Sequence, residues 1–215
     1  MVVIHDMEYP EREKSAEWCA NYFAGQDGTR QMPSAHYCID AGEIIQGVKE
    51  TDGAWHTPGS LPNKQGREIN RTSIGIEHAG YAKQTKEEWF DEYSKAMLER
   101  SAGLVADICI RHKIPVVKLS PADLLAGKHG ITGHGDCTKA TGVGDHSDPG
   151  PNFPWDWYIE RVQTYYDAMN GIPAPRGADV PLVQKPTNET PSLFSMKTVG
   201  IASVVGLGIW FGKRL

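Results

Sequence analysis

The hydrophobic and polar positions of the chain follow two different periods, which predict strands and helices in alternation. Short β-branched or alternating runs predict strands at residues 2–5, 38–39, 43–48 and 74–77. Turn-forming residues at 40–42 separate the second run from the third and predict a β-hairpin. The sequence therefore supplies four strands for a sheet.

Apolar residues spaced three and four positions apart predict helices in the intervening segments. These stripes lie at residues 11–23, 86–112, 121–125 and 155–169. Thr85 and Glu88 form the capping box expected at the start of the longest helix. The order of the elements predicts an α/β fold over residues 1–171, with a single mixed central β-sheet flanked by helices.

The composition changes after residue 171. Residues 172–192 are rich in proline and polar residues, which predicts a linker. Residues 193–215 predict a hydrophobic C-terminal helix and a candidate transmembrane anchor, because the 15 residues 198–212 carry no charge. That run would span about 22 Å of the ~30 Å hydrocarbon core. The alternative is an amphiphilic tail that covers an apolar patch or binds a partner.

Charge and cysteine usage narrow the class of protein. The 215 residues have a formal net charge of −5, so the chain lacks the basic surface typical of nucleic-acid binding. Cys19, Cys38 and Cys109 lie among apolar residues without a CxxC pair, which predicts free thiols in the core. The start of the chain lacks the apolar run of a secretory signal, so synthesis in a cytoplasm is expected.

The stretch 131–155 concentrates residues that bind metals or carry protons. Between its glycines and prolines lie His134, Asp136, Cys137, Asp145, His146 and Asp148. Its composition predicts irregular backbone, and two histidines are more than a structural loop needs. A metal site here would need a further ligand and a general base from elsewhere. His5 at the end of the first strand and Glu77 on an apolar strand are of the required types, although His5 could also be a core residue.

Several motifs together resemble the zinc-dependent N-acetylmuramoyl-L-alanine amidase family (amidase type 2, peptidoglycan-recognition-protein-like), particularly phage endolysins. They are His5 after the first strand, followed by SAHYCID, AGEIIQGV with AWH, NRTSIGIE, and GHGD with HSDPGPNFPW. The match runs in the family's order over residues 2–160. The resemblance implies peptidoglycan as substrate, a role in host cell lysis with action on the cell wall, and other phage lysis proteins as partners.

The resemblance also implies roles for individual residues. A zinc ion would be held by His5, His134 and Asp148. Glu77 would be the general base, and His146 would donate to the oxyanion, at a place where some relatives have lysine. The substrate groove would be lined by His36, Trp55 and His56, unless these are sheet residues whose polar atoms are satisfied.

Three alternatives remain at this level. Cys137 is a rival zinc ligand, although Asp148 stands in the DPGP context that matches the family. A peptidoglycan-binding module of the same fold would lack zinc, but all three candidate ligands are present. A zinc peptidase acting on peptidoglycan peptides is the third alternative, and the chain contains no HExxH motif.

Overall fold

The computed structural model describes residues 1–25, 33–61, 68–172 and 196–198, and they form the predicted α/β fold with one mixed sheet. The strands are β1 (Val2–Asp6), β2 (Tyr37–Ile39), β3 (Ile44–Gln46), β4 (Ile74–His78), β5 (Ile131–Gly133) and β6 (Met196–Thr198). The helices are α1 (Ser15–Phe23), α2 (Glu92–His112), α3 (Pro121–Leu125), α4 (His134–Thr141) and α5 (Trp155–Met169). Short 3-10 turns lie at Ile69–Arg71 and Glu88–Phe90.

The sheet has the strand order β5-β1-β4-β2-β3-β6. Strand β1 pairs in parallel with both β4 and β5, and β2 is parallel to β4. The predicted hairpin is confirmed, because β2 and β3 are antiparallel neighbours. Parallel strands end at the same edge of a sheet, so the residues that end β1 and β4 lie beside those that follow β5.

The main core lies between one face of the sheet and the helix pair α2 and α5. Ile4 and Ile76 point into it and meet Leu98, Tyr158 and Val162 from the two helices, all fully buried. Because side chains alternate along a strand, the neighbours of these isoleucines point to the opposite face. The three cysteines predicted to be core residues are buried and free, as expected.

The longest helix begins later than its sequence predicts. The capping box of Thr85 and Glu88 forms, but it stabilises the short 3-10 turn Glu88–Phe90. Asp91 then adopts an extended conformation, and its carboxylate accepts a hydrogen bond from the Ser94 amide at 2.8 Å. Asp91 is therefore the N-cap of α2.

Two other segments differ from expectation. Helix α1 begins at Ser15, because Lys14 has a left-handed φ of 65° that interrupts the helix predicted from residue 11. The stretch 131–155 is not irregular throughout, since it contains β5 and α4. Ile131 is fully buried beside β1, and this pairing turns a short, Gly-flanked run into a strand.

Most of the C-terminal predictions lie outside the described residues. These are the linker from residue 173 onward and the hydrophobic segment apart from residues 196–198, so the predicted domain boundaries stay predictions. The three described residues form β6, parallel to β3, where a helix was predicted. Pairing there satisfies backbone groups that β3 would otherwise leave open at a sheet edge. Within the described ranges, no helix is both long enough and apolar enough to cross a membrane.

Candidate metal centre and active site

Three buried side chains converge at the C-terminal edge of the parallel strands. The Nδ1 atom of His5 lies 3.1 Å from Oδ2 of Asp148, and Nδ1 of His134 lies 3.2 Å from Oδ1 of the same carboxylate. One ligand atom from each of the three residues falls within 4.8 Å of the others. The structure thus brings together the three residues that the resemblance implied as zinc ligands.

The fold brings these residues together from distant parts of the sequence. His5 is the fourth residue of β1, and His134 begins α4 directly after β5. The amide of Gly135 donates to the carbonyl of Asp148 at 2.9 Å, which ties the start of α4 to the loop that carries the carboxylate. A Cβ atom at Gly133 would lie 2.9 Å from Pro149, so this close approach requires glycine.

The donor set fits a zinc ion. Two imidazoles and one carboxylate are a common catalytic zinc set, and ligands about 2.0–2.2 Å from a tetrahedral ion lie about 3.3–3.6 Å apart. Nε2 of His134 is buried without a hydrogen-bond partner among the described residues, so protein groups leave this imidazole incompletely satisfied. Burial opposes ionisation of Asp148, but the two imidazoles that face its carboxylate, those of His134 and His5, outweigh burial and hold its pKa well below the usual value.

Glu77 lies next to this cluster on β4, in register with His5 on β1. It is only 8% exposed, and no hydrogen bond or ion pair fixes its carboxylate within the described part of the chain. Burial is the main cause that raises its pKa well above the usual value, and the nearby negative charge of Asp148 adds to the effect. A buried, unpaired carboxyl beside a ligand cluster has the properties of a general acid or base.

His146 lies at the entrance of the cluster. Its ring stacks on that of His134 with centroids 4.1 Å apart, and its Nδ1 lies 3.5 Å from Oδ1 of Asp148. The side chain is 54% exposed, so it can reach a molecule that approaches from solvent. This position suits a donor to bound substrate.

The three residues implied for the substrate groove have different environments. Trp55 is 64% exposed and is available for contact. His36 is fully buried. Its Nδ1 accepts a hydrogen bond from the Gly75 amide, and its Nε2 contacts the Asp52 carbonyl. The placement of His36 therefore argues against direct contact with substrate, since backbone groups occupy both of its nitrogens.

His56 is also almost fully buried. Its Nδ1 lies 3.0 Å from Nε2 of His5, and its Nε2 lies 3.2 Å from the hydroxyl of Ser73. Burial, followed by the neighbouring imidazole of His5, lowers the pKa of His56 well below the usual value. The structure thus places His56 behind the candidate ligand, away from an open groove.

Cys137, the rival zinc ligand, is not part of the cluster. It is fully buried in a separate apolar group with Val3 and Leu119. Asp136 forms an ion pair with Lys118 instead of joining the site. In the described residues, the carboxylate of Asp148 is the candidate ligand that contacts both histidines.

Sequence reasoning missed the polar residues that support His56. The side-chain oxygen of Asn70 accepts from the amides of His56 and Thr57 at 3.0 and 2.8 Å, and Ser73 contacts the ring. Both lie in the NRTS segment that precedes a buried strand. The signal in the sequence was a run of polar residues directly before a buried strand. Buried polar side chains are nearly always hydrogen-bonded, so such residues are expected to have specific partners.

Comparisons with solved structures support this fold. Staphylococcus aureus hydrolase AmiA, in complex with its ligand, has a TM-score of 0.57 and 19% identity, covering 81% of this chain and 76% of that chain. An AmpD derivative has a TM-score of 0.50 and 26% identity, covering 75% and 83%. The PlyG catalytic domain has a TM-score of 0.50 and 16% identity, covering 77% and 81%.

The sequence comparisons give a family. No curated protein matches the chain. The family model described as N-acetylmuramoyl-L-alanine amidase matches residues 1–151, which include β1, β4, β5 and the whole candidate cluster. This chain belongs to the N-acetylmuramoyl-L-alanine amidase family.

Proposed function

We propose that the chain is a zinc-dependent N-acetylmuramoyl-L-alanine amidase that acts as a phage endolysin. It hydrolyses the amide bond between N-acetylmuramic acid and L-alanine in peptidoglycan and so lyses the host cell. The observation that carries this proposal is the convergence of His5 and His134 on Asp148, beside the buried carboxyl of Glu77. Membership of the amidase family supports the same reaction.

Each side chain has a separate task in this reaction. His5, His134 and Asp148 would hold a zinc ion, which would supply Lewis acidity that makes a bound water nucleophilic near neutral pH. The carboxylate of Glu77 accepts a proton from the attacking water and delivers it to the leaving amide nitrogen. A ring N–H of His146 donates to the oxygen that becomes negatively charged on the tetrahedral carbon.

The environment of Glu77 suits both halves of this proton transfer. Burial raises its pKa, so the carboxyl readily keeps the proton that it must hand to the leaving nitrogen. A divalent cation in the neighbouring cluster would favour the ionised form, which is the form that accepts the proton first. The same side chain can therefore act as base and then as acid.

Trp55 is the residue that we assign to substrate binding. Its indole is the most exposed large apolar side chain among the described residues, and it directly precedes His56, which touches His5. Aromatic rings offer a flat apolar face with a polar edge, which suits a partly wet binding groove. His36 is less suited to this role, because backbone groups occupy both of its ring nitrogens.

Digestion of purified cell wall by the full chain tests the proposal. Mass spectrometry should find a new L-alanine amino terminus and intact glycan strands, and excess chelator should stop their release until zinc is restored. A peptidase would free a different amine, and a binding module would sediment with the wall without releasing anything. Product formation in excess chelator would contradict the zinc assignment.

We further propose that the amidase is made in the host cytoplasm and that residues 198–212 tether it to the membrane near the wall. The proposal rests on the uncharged run that precedes Lys213 and Arg214. Fractionation should find the full chain in carbonate-washed membranes and a chain that ends at Pro191 in the soluble fraction. Equal recovery of both in the soluble fraction would exclude the tether and leave a tail that binds another lysis protein or the domain itself.

A further inference from the structure

His5 uses both of its ring nitrogens. Nδ1 faces Asp148 at 3.1 Å, and Nε2 faces Nδ1 of the buried His56 at 3.0 Å. A neutral imidazole has a hydrogen on only one nitrogen, and only the other nitrogen can bind a metal. The position of this hydrogen therefore decides whether the nitrogen that faces Asp148 can bind a cation.

The hydrogen-bond pattern around His56 fixes its tautomer. The hydroxyl of Ser73 donates its hydrogen to the carbonyl of Ile69 at 2.6 Å. A hydroxyl has one hydrogen, so the same oxygen can only accept from Nε2 of His56, 3.2 Å away. The hydrogen of His56 is thus on Nε2, and its Nδ1 presents a lone pair.

That lone pair fixes the tautomer of His5 in turn. Two nitrogens without a hydrogen would repel each other at 3.0 Å, so His5 donates from Nε2 to Nδ1 of His56. Thr57 places its hydroxyl 3.1 Å from the same Nδ1 and can share the lone pair. His56 is 7% exposed, and no carboxylate contacts its ring in the described part of the chain, so a charged imidazolium there would have no counter-ion in contact with it.

We infer that His56 and Ser73 are positioning residues that set the tautomer of His5 for metal binding. The chain of hydrogen bonds from His5 through His56 and Ser73 to the Ile69 carbonyl leaves Nδ1 of His5 as an acceptor. Nδ1 and Oδ2 of Asp148 are then two acceptors 3.1 Å apart, which repel each other unless a cation lies between them. This inference rests on the proposed function for the identity of the cation, and it removes His56 from the substrate groove.

The sequence makes room for this arrangement at Gly75. A Cβ atom at this position would lie 2.6 Å from the His56 ring. Gly75 is two residues before Glu77 on β4, so both face the side of the sheet that carries the cluster. The missing side chain therefore allows His56 to lie against the strand and reach His5.

The tautomer can be measured without metal or activity. Long-range ¹H–¹⁵N NMR spectra of the metal-free protein, in alkaline buffer where the imidazoles are neutral, should show hydrogen on Nε2 of both His5 and His56. In Ser73→Ala the fixed pattern at His56 should be lost, because its Nε2–H no longer has an acceptor. A His5 ring with hydrogen on Nδ1 in the parent protein would overturn the inference.

Zinc affinity gives the second test, by competition with a chromophoric chelator. Loss of a residue that supports a metal ligand lowers affinity about 10–100-fold. We expect this loss in His56→Phe and a loss at the low end of the range in Ser73→Ala. His56→Gln should keep most of the affinity, because its side-chain oxygen can accept from His5. Thr57→Val is the matched control, and its affinity should stay within about twofold, since its hydroxyl only shares the acceptor.

The outcomes separate this inference from the proposed function. If the parent protein binds no zinc, the proposed function fails, while the NMR spectra still decide the tautomer. If the parent binds zinc and both His56→Phe and Ser73→Ala bind it equally well, the positioning role is wrong. Circular dichroism identifies a variant that fails to fold. In that case the zinc affinities of His56→Gln and Thr57→Val decide. A loss of affinity in Thr57→Val alone would contradict the inferred order of hydrogen bonds.

Discussion

Two networks of buried histidines lie on opposite faces of the pair β1 and β4, and they differ in the partners of their nitrogens. His78 contacts only neutral groups, with Nδ1 3.0 Å from the His5 carbonyl and Nε2 2.6 Å from the Ser101 hydroxyl. On the other face, His5 and His134 both contact the carboxylate of Asp148. Burial is nearly complete in both networks.

Burial alone does not separate a structural histidine from a candidate ligand. The His78 network is complete, because each nitrogen meets a carbonyl or a hydroxyl and the chain of bonds ends at Tyr158. The network around Asp148 is incomplete, since Nε2 of His134 lacks a partner within the described residues and two acceptors approach closely. An incomplete network that surrounds a carboxylate is the feature that indicates a cation.

The largest expected effect is that of Asp148→Ala. Removing the carboxylate leaves two protein ligands where a catalytic zinc site has three, so we expect loss of bound zinc and of lytic activity. Elemental analysis and a turbidity assay on purified cell wall measure both quantities. Asp136→Ala is the matched control from the same stretch, because this residue pairs with Lys118 and should leave zinc bound. Full activity of Asp148→Ala would contradict the site.

Glu77→Gln should separate metal binding from turnover. Glutamine keeps the shape of the side chain but cannot accept the proton, so turnover should fall about 10²–10⁴-fold while zinc stays bound. Zinc content and the rate of amide hydrolysis, measured on the same preparation, give the result. A parent rate in this variant would make Glu77 a structural residue.

Sequence patterns predicted the main elements because these have strong periodicity. The first strand, the hairpin and the helix that ends at Met169 follow directly from apolar spacing and turn residues. The motif-rich stretch could not be predicted in the same way, because β5 is a strand only through its pairing with β1. The start of α2 was misplaced because two N-cap signals, Thr85 and Asp91, lie six residues apart and local sequence does not choose between them.

The site was accessible from sequence only in part. His5, Glu77 and Asp148 were identified by type and by resemblance, and the structure brings them together. The role of His56 depends on contacts with residues 51 positions before it and 17 positions after it, which no local pattern encodes. Its neighbour Trp55 shares the same motif but is exposed, so the motif alone could not assign the two residues to different tasks.

The burial of His78 should make the free energy of unfolding depend on pH. Burial is the main cause that lowers the pKa of His78 to about 4, against an ordinary value of 6.5. Below pH 6.5 the unfolded chain takes up a proton at His78 that the folded protein excludes. The contribution of His78 to the free energy of unfolding is therefore fully present above pH 6.5 and is lost as the pH falls toward 4. The difference corresponds to roughly 3 kcal/mol.

Chemical denaturation of the metal-free protein between pH 4 and 8 measures this effect. The stability of His78→Gln should be lower at neutral pH and should change less over that range than the parent value. His129→Gln is the control, because His129 is exposed, and it should follow the parent curve. Parallel curves for the parent and His78→Gln would contradict the assignment.

The smallest expected effect is that of Tyr158→Phe, at the far end of the same network. The Tyr158 hydroxyl lies 2.7 Å from that of Ser101, which gives its own hydrogen to Nε2 of His78, so Tyr158 is the donor. Removing this donor leaves the bond between Ser101 and His78 intact and should lower the free energy of unfolding by about 1 kcal/mol. Tyr93→Phe removes a hydroxyl that donates to the Arg12 carbonyl at an exposed position, and it should lower the free energy of unfolding by less.

Zinc affinity should remain at the parent value in Tyr158→Phe, because the network of His78 meets His5 only at its backbone carbonyl. A tenfold loss of affinity would show that the two faces of the sheet are coupled.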